Sequence, residues 1–219
     1  MNHPVTVDIV SDLVCPWCWL GKRYWDAALA QTPEIKVETI WRPYQLDPTL
    51  AREGVPYREY MKAKFSDESA PRWQAMREHL EAAAPDARIE FKFDDIPLRA
   101  NTLNAHRLMR WAGGRGRASA MAEILFRGFF AERRNIGDIQ TLSKMAGEAG
   151  LDAAITLDLL NSDRDEKEVW EEELFYRKLG VSGVPTYIFN GNFAVSGAQS
   201  PDVLAKAIRE AALEPAATE

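Results

Sequence analysis

Cys15-Pro16-Trp17-Cys18 constrains this chain more than any other stretch. It holds the only two cysteines in 219 residues, set two residues apart. Upstream, Val5, Val7 and Ile9 alternate in a β-branched run; downstream, Trp19, Leu20, Trp25, Ala28 and Leu29 fall at helical spacing. The motif therefore sits where a strand hands over to a helix. Side chains three apart on a helix share a face, with Cβ atoms roughly 5–6 Å apart, and a disulfide can span that after small adjustments. Cys15 then lies at a helix N-terminus, where unpaired amides and the macrodipole favour a thiolate.

Other uses of the pair fit less well. A zinc site needs about four ligands, yet there is no second C-x-x-C, and His3, His79 and His106 are scattered. No metal site is expected. A structural disulfide here would close too small a loop to gain much from unfolded-state entropy. Two unrelated buried thiols leave the Pro-Trp insert at a strand-to-helix junction unexplained. A redox-active pair is the reading that uses every residue of the motif.

Composition narrows the setting. The chain is 46% hydrophobic and 27% charged, enough to bury a core and stay soluble. Its net charge of −6 offers no basic excess to displace counterions from nucleic acid, so no nucleic-acid partner is expected. The first 14 residues lack the pattern of a secretory signal, and no stretch approaches the ~20 apolar residues of a membrane span. The expectation is a cytoplasmic protein with no membrane partner. In that reducing compartment a lone C-x-x-C is catalytic more often than structural.

The rest of the chain supplies an organisation. Val5–Val10 reads as a strand, Trp19–Ala30 as a helix and Ile35–Trp41 as a second strand, a βαβ unit whose strands should be parallel. Arg42-Pro43-Tyr44-Gln45-Leu46-Asp47-Pro48 breaks the pattern. From there to about residue 179 the signals are almost all helical. Segments cover Tyr57–Phe65, a longer stretch from Pro71, an Asn101-capped helix ended by Gly113-Gly114, Met121–Phe130, Asp138–Gly150, Ile155–Leu160, and a last one from Asp163 or Asp165 to Gly180. Ile89, Phe91 and Phe93 read as an extended loop. Thr186–Phe189 and Phe193–Val195 then flank Asn190-Gly191-Asn192, a hairpin signal. Ser200 is an N-cap and Pro201 the first residue of a closing helix. Residues 1–42 and 180–219 should thus join into one discontinuous α/β domain, with 43–179 as a helical insertion domain.

That layout resembles a thioredoxin fold with a large all-helical insertion, and the chain resembles the DsbA family of thiol oxidoreductases, in particular its FrnE-like branch. The residues that carry this are Ser11-Asp12-Leu13-Val14-Cys15-Pro16-Trp17-Cys18-Trp19-Leu20-Gly21-Lys22, Trp41-Arg42-Pro43-Tyr44-Gln45-Leu46, Asn101-Thr102 with Ala105-His106-Arg107-Leu108, Gly183-Val184-Pro185-Thr186 and Ser196-Gly197-Ala198-Gln199. The branch is similar to 2-hydroxychromene-2-carboxylate isomerases and kappa-class glutathione transferases, which usually carry serine in place of Cys15.

The resemblance implies that Cys15 is the attacking thiolate, Cys18 the resolving thiol and Val184-Pro185 a cis bond, with the Val184 backbone pairing with an extended substrate. Trp17 is the aromatic that the motif itself places in a binding groove. His106 either lines the cleft or is a satisfied core histidine. Gln199 and Ser200 open the last helix, where a carboxylate such as that of glutathione could dock; the glutathione-using relatives often have aspartate where Ser200 stands. Asp8 and Asp12 are candidates for tuning Cys18 or shuttling its proton, although Asp12 reads more simply as a solvated turn residue.

The expected activity is dithiol–disulfide exchange or isomerisation on protein or small-molecule disulfides. No cofactor is expected to bind tightly, and glutathione would serve as a co-substrate. The alternatives are a glutathione-dependent isomerase or transferase and, in another class, a non-catalytic polypeptide-binding holdase. Oligomeric state stays open, a homodimer through the helical lobe being one arrangement.

Overall fold

Val5–Ser11 forms β1, an inner strand of a four-stranded sheet in the computed structural model, which describes residues 4–66 and 69–213. Its alternating apolar residues leave Val5, Val7 and Ile9 essentially without exposure. Helix α1 (Pro16–Ala30) crosses over to β2 (Val37–Pro43), which runs parallel to β1 in register from Val5 opposite Val37 to Ser11 opposite Pro43. The other side of β1 pairs antiparallel with a strand over Thr186–Phe189, which returns as Phe193–Ser196. The hairpin turns on Asn190 and Gly191, both at positive φ (50° and 71°), a conformation that asparagine and glycine tolerate best.

Between β2 and that hairpin lie β3 (Val55–Pro56), α2 (Tyr57–Lys64), α3 (Ala70–Ala83), a single 3-10 turn at Phe93–Asp95, β4 (Leu98–Arg99), α4 (Leu103–Gly113), α5 (Ala118–Phe130), α6 (Ile139–Glu148), α7 (Ala153–Leu160) and α8 (Glu166–Lys178). The hairpin strands are β5 and β6, the sheet order is β2-β1-β5-β6, and α9 (Pro201–Leu213) closes the chain. Ser200 caps α9, accepting from the Val203 N–H at 3.4 Å. This is an α/β thioredoxin fold carrying a large helical insertion.

Two apolar cores meet at α1. One side of the helix, with Trp25 and Ala28, packs with α9 on the sheet face made by Val5, Val7, Ile9, Tyr187 and Phe189. The other side, with Cys18, Trp19 and Leu20, belongs to the core of the inserted helices. There the Trp19 ring stacks on Phe130 at 5.8 Å and meets Phe91 edge-on at 5.4 Å. The cysteine motif is thus held by both cores rather than perched on either.

The structure departs from the sequence expectations in detail. Helix α1 begins at Pro16, not Trp19: proline fits the first helical position, where no N–H is needed. Helix α4 starts after Thr102; Asn101 instead accepts from the Leu103 N–H at 3.0 Å. The β3–β4 ladder, Val55 opposite Arg99 and Pro56 opposite Leu98, was not expected, because two residues are too few to show alternation. Among the described residues, no helix is long and apolar enough to cross a membrane.

Candidate active site

Strand β1 ends in a turn over Asp12–Val14, closed by the Cys15 N–H donating to the Asp12 carbonyl at 3.1 Å. Cys15 is the N-cap residue of α1 and Cys18 sits one turn in; both are buried and both are free thiols. Their environments pull them apart. The Cys18 thiol donates to the Cys15 sulfur and holds Cys15 below the ordinary cysteine range; burial opposes this, the Cys18 N–H and the Arg99 charge assist it, and the Asp12 carboxylate opposes it. Cys18 is pushed well above that range, first by burial and then by its role as donor to Cys15.

The Gly183–Thr186 loop faces the motif. The Val184–Pro185 peptide is cis, and the Val184 carbonyl lies 3.8 Å from Cys15 Sγ. Close approach of this loop to α1 depends on Gly21. A Cβ there would stand 2.5 Å from the Tyr187 hydroxyl and 2.9 Å from Pro185 Cγ. Trp17 is partly buried, its ring tilted against the exposed His79 of α3 at 5.2 Å.

Asp12 corrects the expectation of a solvated turn. It has no exposure, because the 45–47 segment and α4 close over it. Its Oδ2 accepts from the Leu46 N–H at 2.8 Å, and its Oδ1 stands 3.4 Å from Nε2 of His106, itself buried on α4. Asp8 is engaged by Arg42 at 2.6 Å, on the sheet face that Tyr176 of α8 covers.

A buried cation lies under the motif that sequence reasoning missed. Arg99 is 5% exposed. Its Nη1 donates to the Val14 carbonyl at 2.8 Å, while Nε and Nη2 grip Asp47 Oδ2 at 3.0 and 2.6 Å. Tyr60 donates to Asp47 at 2.6 Å, and its ring lies 5.1 Å from the guanidinium. Burial works against charge on Asp47, but Arg99, Tyr60 and Lys64 together hold its carboxyl below the usual range. Asp47 stands in the pattern-breaking Arg42–Pro48 stretch, the one sequence hint of special structure there. Arg99 has no comparable signal.

The structure therefore brings Cys15, Cys18, Val184 and Pro185 together, places Trp17 at their edge, and sets His106 behind them against Asp12. It does not gather Gln199 and Ser200 with them. Both are exposed; Gln199 Nε2 is bound to the Ser196 carbonyl at 2.9 Å and Ser200 serves as the cap described above. Among the described residues, no group of three or more His, Cys, Asp or Glu side chains converges as a metal site would. A buried dithiol with one acidified sulfur and one retained proton is suited to two-step exchange.

The chain matches the family model described as the DSBA-like thioredoxin domain over residues 6–209. It is 33% identical to a probable DsbA oxidoreductase of Streptomyces coelicolor and superposes on it with a TM-score of 0.87, covering 98% of this chain and 93% of that one. It is 29% identical over 208 residues to the uncharacterised protein YwbO of Bacillus subtilis, 94% of this chain and 96% of the other. The cytosolic disulfide reductase DsbM of Pseudomonas aeruginosa shares the fold at 17% identity and a TM-score of 0.66, over 94% of this chain and 97% of that one.

Proposed function

The chain belongs to the DSBA-like thioredoxin domain family, and from that premise we propose that it is a dithiol–disulfide oxidoreductase in which Cys15 attacks and Cys18 resolves. The observation that carries this reading is the placement of two free thiols three residues apart at the N-terminus of α1, Cys15 as its N-cap and Cys18 one turn in, with the Val184 carbonyl 3.8 Å from Cys15 Sγ.

The Cys15 thiolate attacks one sulfur of a substrate disulfide. The other sulfur leaves as a thiolate, and Cys15 is joined to the substrate in a mixed disulfide. Cys18 then loses its proton and attacks Cys15 Sγ, so that the second substrate sulfur leaves. The substrate has gained two electrons, and the enzyme pair has lost two and become a disulfide. Two equivalents of a thiol such as glutathione restore the dithiol by the same exchanges in reverse, and with an oxidised enzyme the forward chemistry runs backwards. An extended segment of substrate lies along the Val184 backbone, as in strand addition. A cytoplasmic site of action is part of this proposal; the fold neighbour DsbM is described as cytosolic.

Glutathione-driven reduction of insulin tests the roles. Cys15→Ser should abolish turnover, because a hydroxyl cannot replace the thiolate. Cys18→Ser should still attack but accumulate as a mixed disulfide, visible as added mass on the protein. Full activity in Cys15→Ser would refute the proposal and fit a glutathione-dependent isomerase, in which glutathione supplies the sulfur. Polypeptide binding that survives loss of both thiols, without any exchange, would fit a holdase.

A further inference from the structure

Helix α8 leaves one of its faces uncovered. Val169, Glu173 and Tyr176 turn inward and are buried. At about 100° per residue, Trp170, Glu171, Leu174, Phe175, Lys178 and Leu179 come out on the opposite half of the helix. Four of these are large and apolar, and all stand in the open: Trp170 is 41% exposed, Leu174 49%, Phe175 55% and Leu179 60%. The other large apolar residues that stand exposed, Ile155, Val203 and Leu213, lie singly on other helices. Scattered exposed residues need no explanation, but a contiguous set on one helix face marks a contact surface.

The charges on this face are ordered. Glu171 pairs with Lys167 at 3.4 Å, in the open. Lys178, also exposed, has no acidic partner among the described residues. The face is palindromic: Trp170 and Leu179, Glu171 and Lys178, and Leu174 and Phe175 each lie equally far from the midpoint between residues 174 and 175. A second copy laid antiparallel about a two-fold axis at that midpoint sets Glu171 level with Lys178 of the partner subunit, at both ends of the contact. Leu174 and Phe175, nearest the axis, meet the partner's Leu174 and the partner's Phe175 on its two flanks. Trp170 and Leu179 extend the apolar strips outward. A parallel copy would instead oppose Glu171 to the partner's Glu171 and Lys178 to the partner's Lys178, so charge selects the antiparallel arrangement.

We propose that this face of α8 is a homodimer contact, an antiparallel helix pair formed by two copies of the chain. An exposed helix face is a convex ridge. It suits a copy of itself better than an extended peptide, whose docking needs a groove or a strand edge. Nor does a chain of net charge −6 bring a basic excess to an anionic membrane. From Trp170 to Leu179 the helix advances about 14 Å. A contact that short buries less than the ~800 Å² per partner of a standard interface, so the dimer is reversible, with a Kd of about 10 µM. Leu179, at the end of the face, also lines a cleft of about 510 Å³ with Val181, Val184 and Phe193. The second copy therefore stands beside the loop that faces Cys15, yet the contact itself needs neither thiol.

Sedimentation velocity of the reduced full-length protein, from about 1 µM to about 500 µM, tests this. Wild type should pass reversibly from monomer to dimer. Leu174→Glu should weaken association by about tenfold or more, because it places two carboxylates at the axis. Glu171→Lys and Lys178→Glu should each weaken it by about tenfold, because each sets like charges at both ends of the contact. An equimolar mixture of those two variants should recover the wild-type dimer, since opposite charges meet again at both ends. Recovery on mixing also shows that the variant chains are folded. A wild type that stays monomeric throughout overturns the proposal, and slower insulin reduction by a monomeric Leu174→Glu would then assign the face to substrate. A dimer indifferent to Leu174→Glu overturns it too, as do two charge variants that fail to recover on mixing.

Discussion

Gly21→Ala sets two effects of known sign against each other. In a helix interior alanine is favoured over glycine by about 1 kcal/mol, so backbone preference alone predicts a more stable protein. The new methyl would stand 2.5 Å from the Tyr187 hydroxyl and 2.9 Å from Pro185 Cγ, and overpacking of this kind costs about 1–3 kcal/mol. Neither obstacle can swing aside. Tyr187 has no exposure and its ring stacks on Trp25 at 5.6 Å; the Pro185 ring is closed onto its own backbone. The tightness of both contacts argues for the upper part of that range, leaving a net loss of about 1–2 kcal/mol. With a urea m-value of about 3 kcal/mol/M, the midpoint should fall by about 0.5 M. Tyr187→Phe supplies the control. Its hydroxyl is buried without a partner, so removing it should be neutral or slightly stabilising. In the double variant the shorter of the two clashes is gone, and the cycle should show a coupling of about 1 kcal/mol. Urea unfolding followed by tryptophan fluorescence measures all four proteins. A Gly21→Ala midpoint above wild type, or a cycle additive within about 0.3 kcal/mol, would refute the packing argument.

Three further outcomes follow from named contacts. In ultraviolet thiolate titrations of the reduced protein, Cys15 should ionise below the free value of about 8.5, and Cys18→Ala should move it upward because the donor that most favours its thiolate is lost; no upward movement contradicts the assignment. Arg107 has no exposure and donates to the carbonyls of Leu159, Ser162 and Arg164 and to Asn104, so Arg107→Met should cost about 3 kcal/mol or more, and a loss below about 1 kcal/mol in urea unfolding would show those carbonyls find other partners. Asp47 is depressed in the folded state although burial opposes it; its stabilisation is therefore present above the unfolded value of about 3.9 and lost as pH falls through the folded one, so the stability gap between wild type and Asp47→Asn should close on acidification, and a gap independent of pH would exclude the ion pair as its source.

The elements of the sheet were legible because their signals are local. Val5, Val7 and Ile9 alternate on one strand, and Asn190-Gly191 demands the positive φ values that the hairpin adopts. Asp138 caps a helix by accepting from the Thr141 N–H, an arrangement contained within one turn. The first turn of α1 was misplaced because Pro16 reads equally as the end of a turn. The β3–β4 ladder left no trace, since its pairing is dictated by where α2 and α4 pack rather than by two residues of pattern.

The site divides along the same line. Cys15, Cys18 and Pro185 are marked by residue type and spacing, and these were enough to predict that the thiol pair and the proline loop would meet. Asp12 could not be placed that way. A carboxylate at a turn is ordinarily solvated, and burying one alone costs several kcal/mol. Its burial makes sense only when Arg99 is brought beneath the same turn, where its cation acts on both Asp12 and Asp47 while it donates to the Val14 carbonyl. Arg99 comes from β4 and His106 from α4, both within the helical insertion. The same Arg99 charge helps lower Cys15 and the same Asp12 charge resists it. The inserted segment therefore enters the electrostatics of the thiol pair directly, and a change made within it, far from residue 15 in sequence, shifts the balance between the two sulfurs as surely as a change in the motif.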